Sequence, residues 1–206
     1  MVAEHPTPKD VQRRRRRRRR TITILVYVLA TIALAWYFES QATTTILFVR
    51  HAETDATMAE GGDPPLSAPG RARAEILADF LQDLDVLASV DAIYASELRR
   101  TQQTAAPLAE RLELEINVAN HYEVEPFMSQ VLRDHKGEIV LIVTHSDAIA
   151  PLIAELHGHQ SVPEITSDEY DNFYIVTIPW WGKVKTLRLH YGIGWRPPYA
   201  RVDSIG

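Results

Sequence analysis

Arg50-His51-Ala52-Glu53-Thr54 follows directly on the unbroken apolar run Ile46-Leu47-Phe48-Val49. A guanidinium and an imidazole therefore stand side by side where a buried strand would end. An imidazole is a nucleophile at neutral pH without a separate base, and a guanidinium holds phosphoryl oxygens in a fixed fork. The pair points to phosphoryl transfer. That chemistry spreads negative charge over three equatorial oxygens, so it needs further preorganised positive charge. Arg100 and His145 are the candidates. One nitrogen of His51 must stay unprotonated to attack, and a backbone carbonyl accepting a bond from the other nitrogen would fix that tautomer.

These groups can meet only if strands and helices alternate. Thr43 to Val49 is β-branched and apolar, with no polar alternation after Thr45, as in a strand covered on both faces. Asp63-Pro64-Pro65-Leu66-Ser67-Ala68-Pro69-Gly70 is a dense turn segment leading into a helical pattern at Ala74, Ile76, Leu77, Phe80 and Leu81. Asp91 to Ala95 reads as a short strand, and Ser96 as the N-cap of a helix to about Leu112, bent at Pro107. Glu138 to Thr144 is a third buried strand that ends at His145, with Ser146-Asp147 suited to cap the next helix. Phe173 to Ile178 and Lys183 to His190 read as strands related by a hairpin around Trp180-Trp181-Gly182. The expectation is an α/β three-layer sandwich with a mainly parallel central sheet, preceded by one transmembrane helix. Ligands of such sheets bind beyond the carboxyl ends of the strands, where His51, Arg100 and His145 all fall.

At 206 residues the chain has room for one such domain and an extension. It contains no Cys, which excludes disulfides, thiolate metal sites and cysteine nucleophiles. Residues 1–20 hold nine of the 22 Lys and Arg and two of the 27 Asp and Glu, which leaves the remainder with 13 basic and 25 acidic side chains, a net charge of −12. An acidic body argues against a nucleic-acid partner.

Arg13 to Arg20 is a run of eight arginines abutting the uncharged stretch Thr21 to Phe38. As a helix these 18 positions span about 27 Å, close to a hydrocarbon core. Residues 1–20 read as a basic cytoplasmic tail, 21–38 as a transmembrane anchor in the lipid bilayer, and 39–43 as a linker. The positive-inside rule then places the N-terminus in the cytoplasm and the catalytic domain outside it, periplasmic or extracellular. The competing reading is a protein secreted after signal cleavage, since Ala33-Leu34-Ala35 and Ser40-Gln41-Ala42 offer small residues at cleavage spacing. The apolar stretch is longer than the usual signal core, which favours the anchor.

Phe48-Val-Arg-His-Ala-Glu-Thr54 resembles the signature of the histidine phosphatase superfamily, also called the phosphoglycerate mutase-like family, with Ala52 in the place usually held by glycine. Asp63 to Gly70 resembles the turn that follows, Ser96 to Ala105 the segment with the second arginine, and Val143 to Ser146 the segment with the second histidine. The resemblance covers residues 44–191 and leaves 192–206 as a tail. It implies that His51 takes the phosphoryl group while Arg50, Arg100 and His145 surround its oxygens. It implies no metal and no cofactor. Thr54 is a further candidate for contact with substrate.

The family commonly uses a carboxyl acid for the leaving oxygen, from the stretch that is Asn120 to Phe127 here. Glu125 is the candidate taken forward, with Glu123 and Asp147 as alternatives. The expected function is a membrane-anchored phosphohydrolase acting on small phosphomonoesters, with a phosphorylated small molecule or phosphoprotein as partner. The alternatives are a phosphohistidine-protein phosphatase, because phosphoramidates leave without a strong acid, and a non-catalytic phosphate-ligand sensor. A mutase is disfavoured by the little sequence between Thr54 and Leu66 available for a cap. Arg99 should point away from Arg100 into solvent, and His157-Gly158-His159 lacks a third metal ligand nearby.

Overall fold

The computed structural model describes residues 8–39, 43–58, 62–83, 89–157, 165–166, 168–179 and 182–192. They belong to two compact units divided between Gln41 and Ala42. The first unit is α1, Pro8–Glu39, a single helix of 32 residues. Sequence reading separates a basic tail from an apolar helix, whereas α1 runs through both without a break. Arginine is a strong helix former, and like-charge pairs one turn apart cost only tenths of a kcal/mol each, so repulsion does not stop the helix. Within it, Arg14–Tyr37 contains a stretch long and apolar enough to cross a membrane or to serve as a signal. The threonines there do not spoil its apolar character. Thr21, Thr23 and Thr31 donate their hydroxyls to carbonyls of the preceding turn, Arg17 O, Arg19 O and Val28 O respectively, so no donor is left bare.

In the second unit, six strands form one sheet in the order β3-β2-β4-β1-β5-β6. The strands are β1 (Thr44–Arg50), β2 (Ala92–Ala95), β3 (Ile116–Val118), β4 (Ile139–Thr144), β5 (Asn172–Ile178) and β6 (Lys185–His190). β1, β2, β3 and β4 are mutually parallel, while β5 runs antiparallel to both β1 and β6. The helices are α2 (Ala68–Asp83), α3 (Arg99–Leu112), α4 (Val124–Asp134) and α5 (Ser146–His157).

Successive side chains of a strand point to opposite faces, and the apolar run of β1 feeds two cores in turn. Ile46 and Phe48 pack with Val140, Ile142 and the α4–α5 residues Phe127, Met128, Ile149 and Leu152. Leu47 and Val49 pack with Leu141, Val143 and the α2–α3 residues Leu77, Phe80, Ala105 and Leu108. The layers are thus helix, sheet, helix, as expected from the doubly covered strands.

Register sets the height of the strand ends. β1 pairs with β4 so that Arg50 lies opposite Thr144, and Ala95 of β2 lies opposite Val143. The His51 amide continues the ladder, donating to Thr144 O at 2.9 Å. His51, His145 and Ser96 therefore leave three adjacent strands at one level.

Two local expectations need correction. Ser96 does not cap α3, which starts at Arg99 with Leu98 in the N-cap position and no side-chain cap. The Arg99 amide instead donates to the Asp63 carboxylate at 2.9 and 3.2 Å, a cap supplied from the distant turn. Finally, β3 and α4 are absent from the sequence reading. The signal for α4 was present in Val124, Phe127, Met128 and Val131, an i, i+3, i+4, i+7 spacing. The Trp180-Trp181 pair and residues 193–206 lie outside the described residues.

Gly70 is where the turn meets the segment that carries His51 and Glu53. A Cβ there would stand 2.0 Å from the Glu53 carbonyl oxygen, which is backbone and has no rotamer to escape into. Alanine would ordinarily gain about 1 kcal/mol over glycine inside a helix, but the clash outweighs that gain. Gly70→Ala is expected to destabilise the protein by about 3 kcal/mol. The urea midpoint of the variant measures it, and an unchanged or raised midpoint would contradict the close approach.

Candidate active site

Arg50, His51 and His145 are each less than a tenth exposed, so four basic groups, with Arg100, share a nearly dry space. The rings of His51 and His145 lie 5.4 Å apart, inclined by 62°. Electrostatic influence of Arg50 and Arg100 reaches both imidazoles. The structure thus gathers the four residues that the sequence singled out from three segments.

Each is held by a distinct device. His51 Nδ1 lies 2.8 Å from the Ala52 carbonyl oxygen. A carbonyl only accepts, so Nδ1 carries the hydrogen, and the neutral ring keeps its lone pair on Nε2. The carbonyl sought from the sequence is that of Ala52. Its amide in turn donates to Thr104 Oγ1 at 3.0 Å, and Thr104 donates to Arg100 O at 2.7 Å. One threonine of α3 therefore ties the His51 segment to the turn that carries Arg100.

Arg100 approaches Asp63 at 3.7 Å, so the carboxylate that caps α3 also orients this guanidinium. Arg50 donates from Nη1 to Thr166 O (3.0 Å) and Glu169 O (2.9 Å), with the Tyr170 ring 4.1 Å from its central carbon. His145 Nε2 meets Ser96 Oγ at 2.9 Å, while its Nδ1 is buried with no protein partner. The Tyr122 ring lies nearly parallel to His145 at 6.1 Å.

The imidazoles are neutral at pH 7. Burial is the main cause that brings His51 down to about 4; the Ala52 bond opposes it, and His145, Arg100 and Arg50 add to it. Burial, then Arg100, likewise brings His145 to about 4, with Asp147 opposing. His121 falls to about 4 by burial alone; neither of its ring nitrogens has a partner, and the ring stacks on Phe127 at 4.6 Å. A neutral His51 is a ready nucleophile.

Other candidates separate. Glu125 is exposed in the first turn of α4 and is not among the electrostatic partners of His51 or His145. Glu123 is bonded by Asn120. Asp147, exposed in the first turn of α5, does reach His145 and accepts from the Tyr122 hydroxyl at 3.3 Å. Thr54 makes a backbone bridge to Leu66, and Ser67 caps α2 by accepting from the Gly70 amide at 3.1 Å. Glu53 is gripped by Arg73, whose Nε and Nη2 approach its oxygens at 2.6–2.8 Å. His157 is bonded to Thr186, and residues 158–164 lie outside the described residues. Sequence reading missed Tyr170, His121, Tyr122 and Thr104. The two residues 121 and 122 sat in a stretch searched only for acids, and nothing in the sequence signals that Tyr170 folds back over Arg50.

Residues 46–123 match the family model of the histidine phosphatase superfamily, branch 1. Solved structures of phosphatases share its fold. The protein histidine phosphatase SixA complexed with tungstate superposes with a TM-score of 0.58 at 19% identity, covering 71% of this chain and 96% of that one. The α-ribazole phosphatase from Shigella flexneri gives 0.52 at 19%, covering 66% and 94%. A mycobacterial glucosyl-3-phosphoglycerate phosphatase complexed with VO3 gives 0.53 at 17%, covering 64% and 90%. No curated protein matches in sequence. At such identities the structural likeness carries the fold alone.

The buried imidazoles make stability depend on pH. Their folded values of about 4 lie below the ordinary 6.5. Between pH 6.5 and 4 the unfolded chain binds protons that the folded one refuses, so stability falls as pH drops through that window and is insensitive to these groups above it. His121→Leu removes one of the three together with an unpaired buried donor. It should stabilise the protein by about 1–2 kcal/mol, more at pH 5 than at pH 7.5. Urea midpoints at the two pH values test this, and an equal or negative effect at both would refute it.

Proposed function

We propose that this chain is a membrane-anchored phosphohydrolase that acts on small phosphomonoesters through a phosphohistidine on His51. The observation that supports it most is the bond from His51 Nδ1 to the Ala52 carbonyl, because it leaves Nε2 as a lone pair among Arg50, Arg100 and His145. In the first displacement Nε2 attacks phosphorus and the P–O bond to the leaving group breaks. In the second, water attacks phosphorus, the P–N bond breaks and phosphate departs. Arg50 and Arg100 take up charge on the equatorial oxygens, and the bonds that hold them mean little reorganisation is needed as that charge grows.

For the leaving oxygen, Asp147 is a better acid than Glu125, since it is the carboxylate whose field reaches His145. Its exposure favours a second reading, a phosphatase of phosphohistidine proteins, for which leaving-group protonation is less demanding. Thr54 would act through its backbone rather than as a ligand. For the whole chain, α1 serves as the anchor, with Arg13 to Arg20 cytoplasmic and residues 44–191 on the other side.

Incubation with substrate should label His51 with an acid-labile phosphoryl group. His51→Ala should lose at least about 10³-fold in kcat/KM, and Arg50→Ala or Arg100→Ala about 10²–10³-fold. Asp147→Asn should slow an alkyl phosphate about 10²-fold and spare an aryl phosphate, whereas Glu125→Gln should change neither. Because free His51 titrates at about 4, kcat/KM should hold as pH falls and drop only near that value. Neither phosphate release nor adduct across phosphosugars, nucleotides and phosphohistidine peptides would defeat the proposal.

The topology has its own check. Protease added to intact spheroplasts should digest the catalytic unit, and protection until lysis would reverse the orientation.

A further inference from the structure

Ser96, released from helix capping, makes a chain of hydroxyls whose hydrogens can be counted. Thr101 Oγ1 lies 2.7 Å from Leu98 O and 3.1 Å from Ser96 O, and both of these carbonyls only accept. The single hydrogen of Thr101 is therefore spent on them. Ser96 Oγ and Thr101 Oγ1 are 2.8 Å apart, so the hydrogen between them must be that of Ser96. Ser96 has then nothing left to donate to His145 Nε2 at 2.9 Å, and it accepts. His145 carries its hydrogen on Nε2, and the buried Nδ1 holds a lone pair.

A lone pair cannot sit against a phosphoryl oxygen that is also a bare acceptor. Resting on the reading of this site as a phosphoryl-transfer centre, we infer that Ser96 is a positioning residue, whose bond to Nε2 commits His145 Nδ1 to share with the bound phosphoryl group one proton that the ligand-free site does not hold. The proton arrives on the phosphoryl oxygen of a monoanion or is taken from solvent when a dianion binds. In either case it lies between oxygen and Nδ1, and no other bond is made or broken.

The charges around His145 are consistent with uptake only when the anion is present. Arg100 from α3, Arg50 and His51 from the end of β1, and His121 from the turn before α4 oppose a cation there. Asp147 from α5 favours one, and the Tyr122 ring lies over the imidazole. An anion of two charges tips that balance.

Two measurements on the full-length chain in detergent micelles test this. First, the ¹⁵N shifts of His145 in the ligand-free protein, assigned by loss in His145→Gln, should report hydrogen on Nε2 and none on Nδ1; hydrogen on Nδ1 would overturn the inference. This readout needs no turnover, so it stands apart from any failure of the phosphatase reading. Second, the heat of inorganic phosphate binding at pH 8, compared in buffers of different ionisation enthalpy, should show close to one proton taken up per phosphate, declining as pH falls and phosphate arrives with its own second proton. No uptake at pH 8 would overturn it. Ser96→Ala should show a mixture of tautomers, an uptake well below one, and kcat reduced about tenfold or more, while Ser96→Thr should restore all three. Wild-type tautomer and uptake in Ser96→Ala would refute the role of Ser96.

Discussion

Confinement of four basic side chains in one nearly dry pocket is the constraint to which the site is built. Two guanidiniums cannot lose their charge, so the cost of burial falls on the imidazoles, which stay neutral. Burial and the arginine fields keep His51 and His145 neutral, and a neutral His51 is what nucleophilic attack requires. The ligand-free site stores its positive charge on Arg50 and Arg100, and each is compensated by something that cannot wander. Arg50 is bonded by two backbone carbonyls, and Arg100 lies beside a carboxylate already occupied with a helix terminus. The charge is therefore preorganised before any anion arrives, which is where most of the electrostatic gain in phosphoryl transfer resides.

The same economy runs through the polar framework. Thr104 serves both the Ala52 amide and the Arg100 carbonyl, and Asp63 serves both the first amide of α3 and the Arg100 guanidinium. The turn between β1 and α2 is locked by Glu53 with Arg73 and by Gly70 pressed on the Glu53 carbonyl. Burial alone would raise the Glu53 carboxyl, but bonding by Arg73 outweighs it and holds the group below its usual range. His51 thus belongs to a frame that includes two helices and two strand ends. The rim is different in kind. Tyr122 and Asp147 are exposed, although the Asp147 carboxylate still acts on His145 beneath.

An acidic body with a basic pocket has a consequence for ligands. A net charge of −12 outside the N-terminal arginines repels extended polyanions, while the pocket attracts a single compact anion. The separation of basicity between a terminal helix and a buried cleft suits a compact anion better than an extended polyanion.

Sequence by itself determined the chemical groups and the layers. Residues 46–49 of β1 and 139–143 of β4 are apolar at every position, and that composition needs cover on both faces whatever the rest of the chain does. The histidines at their ends and the arginine after β2 were legible for the same reason, since burial patterns are local and strand ends follow from them. The apolar spacing of α4 was equally local and could have been read. Tertiary structure decided what depends on register and remote partners: the tautomer of His51 through Ala52 O, that of His145 through Ser96, the cap of α3 by Asp63 and the seat of Arg50 under Tyr170. Ser96 shows the division plainly. Its local context reads as a helix cap, but parallel pairing of β2 with β4 brings His145 within bonding distance. A hydrogen bond across 49 positions is fixed by the alignment of two strands, and no pattern in either segment encodes it.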